Sequence, residues 1–161
     1  MNLRDLIYPE LVFTNIKAAD RNEALKRLTG SLMEKGFVKE GYYEMLMARE
    51  EVYPTGLRTE PFAVAVPHAD PDCVLKPCIA IARLEKPVEF DEMGNESQTV
   101  QVKYIFNLVL QKMDQQLELL QTVIGVFSDR DLMKRLETET RPDKIAEILC
   151  GMEQETDRLG E

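Results

Sequence analysis

The sequence predicts an α/β fold of three layers, α/β/α, in which a mixed sheet of about four or five strands lies between helices on both faces. Short apolar runs rich in β-branched residues, FAVAV at 62–66, CIAIARL at 78–84 and VQVKYIFNLVL at 100–110, are interleaved with longer segments whose apolar residues recur at helical spacing. The last run alternates at first and then becomes continuously apolar, as expected of a central strand covered on both faces. A chain of 161 residues can bury one sizeable core. With no internal repeat and no dividing linker, residues 1–161 read as a single domain.

Residues 11–13, after Pro9, read as a first strand. Asp20, Asn22 and Glu23 then open an amphipathic helix with apolar positions at Ala24, Leu25, Leu28, Leu32 and Met33. Asp20 and Glu23 are spaced as a capping box, and Gly36 ends the helix. A second helix is expected over about 41–52, with Tyr42, Met45, Leu46 and Ala48 among its apolar positions, and Pro54 stops it. Thr55–Gly56 reads as a turn in which glycine supplies permissive backbone angles. The run 62–66, between Pro61 and Pro67, reads as a short buried strand ending at a proline-fixed turn. Residues 78–84 form the next strand, 88–90 a short extension near an edge, and 92–97 a polar loop with a glycine. After the central strand, residues 112–114 lead into a helix with a broad apolar stripe from Gln116, Leu117, Leu119, Leu120, Val123, Ile124 and Phe127, read as core and not as a partner-binding surface. Residues 128–131 look like the cap of a short helix through about Leu136. Pro142 sits in the favoured first turn of another that ends near Cys150 and Gly151, and the polar, acidic tail 152–161 is expected to fray.

A formal charge of −9 argues against a nucleic-acid partner, because non-specific affinity for a phosphate backbone comes from Lys and Arg. An acidic surface instead steers toward a neutral or basic protein partner. No run approaches the roughly 20 apolar residues that cross a bilayer. The segment MNLRDLIYPE lacks a charged-then-apolar export pattern, so the expected location is cytoplasmic, without direct membrane insertion. Cys73, Cys78 and Cys150 are an odd number without zinc-ribbon spacing and read as small apolar residues.

The chemistry concentrates in the stretch from Arg49 to Asp72, which contains His68, the only histidine of the chain. His68 follows the strand 62–66, and the C-terminal ends of strands in open α/β sheets are where ligands and reacting groups gather. Neutral imidazole is a nucleophile near pH 7, and Pro67 stiffens its backbone. Phosphoryl transfer needs an aligned nucleophile and positive charge on the equatorial oxygens, and a guanidinium matches those oxygens well. Arg49 and Arg58 are the nearby candidates. Arg49 falls in the last turn of its helix, where it either complements the negative end of the dipole or aims at His68, and both can hold at once. Glu50 and Glu51 read as solvated surface.

The pattern AREEVYPTGL, then FAVAVPHAD, resembles the enzyme IIA domains of phosphotransferase systems of the fructose–mannitol type. The form with PTG, followed by QKMDQQLELLQ, is most similar to the galactitol-specific branch. The resemblance implies that His68 is phosphorylated on Nε2, that Arg49 lies beside the phosphoryl group, and that Thr55 belongs to the surrounding loop. Many relatives carry a second histidine where this chain has Gln116; the galactitol-like branch tolerates glutamine there, and Gln116 is read as a hydrogen-bonding substitute. The implied activity is a relay: His68 accepts a phosphoryl group from the small phosphocarrier protein HPr and passes it to a cysteine of a sugar-specific IIB subunit, which serves a membrane IIC subunit. No cofactor or metal is implied. A regulatory protein of the same fold, whose phosphorylation state controls a protein target, stays open. So does a metal-dependent hydrolase using His68, Asp70, Asp72 and Cys73, although no spaced second pair of His or Cys supports it.

Overall fold

The computed structural model describes residues 3–159, with Glu96 and residues 152–159 in backbone only. In chain order the elements are β1 (Ile7–Ile16), α1 (Arg21–Glu34), α2 (Tyr42–Val52), β2 (Gly56–Leu57), β3 (Ala63–Ala65), β4 (Cys78–Glu92), β5 (Asn95–Val109), α3 (Met113–Val126), α4 (Arg130–Thr138) and α5 (Pro142–Leu159). β4 and β5 form a long antiparallel hairpin, β1 pairs parallel with β4, and β3 pairs parallel with β5. β2 pairs antiparallel with β3 and meets the far end of β4 at Glu92, which makes a mixed five-stranded sheet.

The period-two alternation of the strands sorts their side chains into two cores. Ile79, Ile81, Tyr104 and Phe106 face one side, where Leu119 and Val123 of α3, Leu132 and Leu136 of α4, and Ile145 and Leu149 of α5 cover them. Ala80, Ala82 and Ile105 face the other, against Leu25, Leu28 and Leu32 of α1 and Leu46 of α2. Each fully buried leucine removed from water contributes about 1.5–3 kcal/mol. The three-layer arrangement expected from the interleaved runs is therefore what the chain adopts.

Local signals explain most helix boundaries. Asp20 is the N-cap of α1, its side chain accepting from Glu23 N at 2.9 Å, and Gly36 at φ 83° lets the chain leave that helix. Gly41 at φ 94° opens α2, which buries Tyr42, Leu46, Met47 and Glu50 on one face and stops before Pro54. The short helix over 128–136 is α4, capped by Asp129 through Leu132 N at 2.9 Å.

Four expectations are corrected. The extension at 88–90 is not separate: β4 runs unbroken through it to Glu92, since alternate residues Val88 and Phe90 are buried while Glu89 faces solvent. The loop expected at 92–97 shrinks to a turn at Met93–Gly94, with Gly94 at φ 76° and β5 beginning at Asn95. The stripe of α3 is narrower than its sequence suggests, for Leu117 is 61% and Ile124 37% exposed. Finally, α5 does not end near Cys150 and Gly151 but continues to Leu159, because nothing in that stretch breaks a helix; of the tail 152–161, residues 160–161 lie outside the described residues.

Gly56 departs from its expected role in an instructive way. Its backbone is that of a strand and not of the left-handed region; what it lacks is room, since an added Cβ would lie 2.6 Å from Asp91 O and 2.7 Å from Val100 Cγ2. Gly56→Ala should therefore cost about 1–3 kcal/mol by overpacking, which for a domain of this size lowers the melting temperature by roughly 2–12 °C. Thermal unfolding followed by circular dichroism checks this, and an unchanged midpoint would mean that β2 can shift away from β4 without penalty.

Candidate functional site

β3 delivers the chain to the site. Val66 N donates to Thr55 O at 3.2 Å, Pro67 O accepts from Leu108 N at 3.0 Å, and His68 itself bridges in parallel to Leu108 of β5. His68 thus sits just past the C-terminal end of β3, tied to the central strand. Its Nδ1 lies 2.9 Å from Val66 O. A carbonyl only accepts, so Nδ1 carries the proton in this pair and Nε2 keeps the lone pair. The ring is half-buried; that burial, and then the nearby Arg49 charge, pull its pKa below the ordinary 6.5 against the opposing effect of the Val66 hydrogen bond. At neutral pH the neutral form of the imidazole therefore predominates.

Arg49 comes from the last turn of α2, as its spacing predicts. Its Nη1 is 3.6 Å from Asp70 Oδ1, its guanidinium carbon stands 5.3 Å from the centre of the Tyr53 ring, and its Nε is buried without a hydrogen-bond partner. The charge is held near His68 by a loose ion pair and a ring face, while one donor still wants an acceptor oxygen. Gln116, from the first turn of α3, is buried and donates through Nε2 to Ala69 O at 2.7 Å, so it grips the residue next to His68. The acceptor there also settles which end of the amide is nitrogen.

Thr55 is buried in the loop after α2, and both of its donors go to one carboxylate: its N to Glu50 Oε2 at 2.8 Å and its hydroxyl to Glu50 Oε1 at 2.7 Å. Glu50 is accordingly 2% exposed, not the solvated surface residue expected; Glu51 is exposed. Arg58 is corrected too. Its Nε pairs with Glu92 Oε2 at 2.8 Å and its Nη2 donates to Thr99 O at 3.0 Å, so it ties the β2 region to the β4–β5 hairpin. Among the described residues no three His, Cys, Asp or Glu side chains converge as metal ligands.

Sequence reasoning missed Asn107. It is fully buried in β5 and donates through Nδ2 to Pro67 O at 3.0 Å and to Tyr42 Oη at 3.1 Å, bracing the peptide that precedes His68 against the start of α2. The signal was legible: one amide inside the apolar run YIFNLVL must find partners, and here one partner is a carbonyl of the site.

Burial pushes the Glu50 carboxyl up to about 7, against the Thr55 hydrogen bonds and the charge of Arg21 on α1, with Asp91 of β4 adding to the rise. The folded state binds this proton more tightly than the unfolded chain, whose value is 4.5, so the stabilisation is complete below pH 4.5 and is lost as pH rises through 7. The span is roughly 2–3 kcal/mol between pH 5 and pH 8. Glu50→Gln keeps an acceptor for Thr55 N and an amide donor for the hydroxyl, and should remove that loss. Denaturant unfolding of both proteins at the two pH values checks this; the His68 contribution runs the other way and cancels, since both carry it. Parallel losses in the two proteins would place the pH dependence elsewhere.

The chain matches the family described as "Phosphoenolpyruvate-dependent sugar phosphotransferase system, EIIA 2" over residues 5–151. It is similar to the galactitol-specific EIIA component of the PTS system of Escherichia coli strain K12, with 29% identity over 127 residues, 79% of this chain and 84% of that protein. It is also similar to the nitrogen regulatory protein of Bradyrhizobium diazoefficiens, with 25% identity over 151 residues, 93% of this chain and 95% of that protein. Among solved structures, the complex of enzyme IIAMTL with phosphorylated enzyme IIBMTL from Escherichia coli shares the fold at a TM-score of 0.74 and 23% identity, covering 90% of this chain and 97% of that one.

Proposed function

The chain belongs to the enzyme IIA family of phosphoenolpyruvate-dependent sugar phosphotransferase systems, a family of phosphoryl carriers with phosphohistidine intermediates, and from that premise we propose that His68 Nε2 is the atom that carries the phosphoryl group. The observation behind this reading is the hydrogen bond from His68 Nδ1 to Val66 O, which leaves a neutral ring with its nucleophilic nitrogen unprotonated beside Arg49. Nε2 attacks the phosphorus in line, the new N–P bond forms as the donor's N–P bond breaks, and the donor nitrogen keeps that electron pair. The Nδ1 proton stays where it is. The phosphorylated ring gains positive charge, which the Val66 carbonyl stabilises, while Arg49 meets the equatorial oxygens with Nε and the fork that now pairs with Asp70. Gln116 and Thr55 line the site as the holders of Ala69 and of the loop behind Arg49.

The donor in this reading is the phosphocarrier protein HPr, and the acceptor is a cysteine of a IIB subunit serving a membrane IIC subunit. A rim of exposed apolar side chains suits a protein partner: Val52 and Tyr53 at the end of α2, and Met113 and Leu117 flanking Gln116. The transported molecule is a polyol of the galactitol type, supported by the PTG and QKMDQQLELLQ stretches and by the galactitol-specific relative. Incubation with phosphoenolpyruvate, enzyme I and HPr should load one acid-labile, alkali-stable phosphoryl group, which an added galactitol IIB subunit then discharges. No loading at all would end the reading. A second reading, regulation of a target protein, is favoured by similarity to the nitrogen regulatory protein over nearly its whole length. It predicts loading by HPr without discharge to any IIB, and a target affinity that changes with phosphorylation.

A further inference from the structure

One run of hydrogen bonds joins the buried carboxylate of Glu50 to the His68 ring. Glu50 Oε2 accepts from Thr55 N at 2.8 Å; Thr55 O accepts from Val66 N at 3.2 Å; Val66 O takes the Nδ1 proton of His68 at 2.9 Å. A second bond, Thr55 Oγ1 to Glu50 Oε1 at 2.7 Å, doubles the first contact, so the carboxylate holds Thr55 at two points. Thr55 follows Pro54, whose backbone cannot donate, and it precedes Gly56, where contact with Asp91 O forbids a side chain. Between those two residues Glu50 holds Thr55 at two points, while Gly56 is held by its pairing with Ala65 and by Met93 N.

Every link is buried except the last, which is half-buried at the ring. Glu50 is also one residue from Arg49 on the same helix turn. The carboxylate therefore sits where the two arms of the site, the guanidinium on α2 and the imidazole beyond β3, are joined. Burying it costs free energy that an apolar side chain would not, and a group kept under such a cost has a partner that needs it.

We infer that Glu50, acting through Thr55, is a positioning residue for phosphoryl transfer: it fixes the Val66 carbonyl and with it the Nδ1–H form of His68 that leaves Nε2 free to react. A histidine side chain free in water prefers the opposite tautomer, with the proton on Nε2. Loosening the carbonyl lets the ring exchange protons and turn, so the reacting nitrogen is blocked for part of the time and misaligned for the rest. The carbonyl matters more in the phosphorylated state, because the ring is then cationic and its Nδ1–H donates more strongly. The inference rests on the reading of His68 as the phosphoryl acceptor.

Because His68 is the only histidine, nitrogen-15 NMR of the imidazole reports this ring alone, with no assignment problem. In the native protein the ring should show a protonated Nδ1 and an unprotonated Nε2 at pH 8. Glu50→Ala should move the spectrum toward the averaged pattern of a solvated histidine side chain and slow phosphoryl acceptance from HPr about 10- to 100-fold. Glu50→Gln, which can re-form both contacts with Thr55, should restore the native pattern and come within about 3-fold of the native rate. A folded Glu50→Ala protein with the native tautomer would overturn the inference, and so would a Glu50→Gln protein as impaired as the alanine variant. Should Glu50→Ala fail to fold, Glu50→Met carries the test: it fills the same space but offers Thr55 N and Oγ1 no oxygen, and a native tautomer with a native rate in that variant overturns the inference. The NMR readout needs no phosphoryl donor. A protein that HPr never loads but whose ring responds to Glu50 defeats the phosphoryl-carrier reading while the positional link stands.

Discussion

His68→Ala is expected to fold and to take up no phosphoryl group from HPr, a loss beyond the detection limit of a labelling assay. The ring is half-buried and makes one hydrogen bond, to Val66 O. Removing it should cost about 1 kcal/mol for that bond, and less for the small apolar area, so the far-ultraviolet spectrum and the unfolding midpoint should stay near native values. The chemistry has no substitute. No other imidazole exists in the chain, and the amide nitrogen of the nearby Gln116 is no nucleophile. Undiminished labelling of the alanine variant would move the phosphoryl group to another residue, and acid stability of the label would say the same. The pH profile of the native protein sharpens the assignment. The neutral ring is the nucleophile and its pKa lies below 6.5, chiefly through burial, so the rate of acceptance should fall by less than half when pH is lowered to 6.5, where an ordinary histidine is already half protonated.

How much of this was written in the chain can be judged residue by residue. The strand ending at His68, the helix ending near Arg49 and the Asp20 cap were legible because each depends on residues within four positions of one another. The β4–β5 hairpin was not. Its outer half reads EKPVEFDE, a polar stretch whose alternation shows only when the partner strand is known, and a turn around Gly94 takes less chain than the run EMGNES suggests. Glu50 was misread for a related reason: a glutamate beside another glutamate in a last turn is usually solvated, and what buries this one is a hydroxyl and an N–H brought back by the bend at Pro54. Arg58 lost its place to Glu92 and Thr99, 34 and 41 residues away, which no local pattern announces. For Gly56 the residue was noticed and its reason was wrong, because crowding by Asp91 and Val100 is a property of the assembled sheet. The chemistry-bearing positions were thus readable from neighbours in sequence, and the residues that hold them still were not.

Arg49→Gln separates the two roles that one guanidinium can play, and the separation is large enough to measure. As a helix-end cation it contributes about 0.3–1 kcal/mol to stability. Its ion pair with Asp70, at 3.6 Å and with side chains 31% and 55% exposed, adds at most about 1 kcal/mol. The contact with the Tyr53 ring is of similar size, about 0.5–1 kcal/mol. Against these stands the buried Nε without a partner, whose removal relieves a cost of the same order. The net change in stability should therefore stay near 1 kcal/mol. Transfer is a different matter. A donor aimed at charge that develops in the transition state is worth about 10²–10³ in rate, or roughly 3–4 kcal/mol. Arg49→Gln should slow phosphoryl acceptance by that factor, measured as a single-turnover rate with excess phosphorylated HPr, while denaturant unfolding moves little. Arg49→Lys keeps the charge but loses the planar fork and Nε, and should fall between the two proteins. Losses of equal size in stability and in transfer free energy would mean that the guanidinium serves the helix and not the phosphoryl group, and the mechanism would then have no cation at its centre.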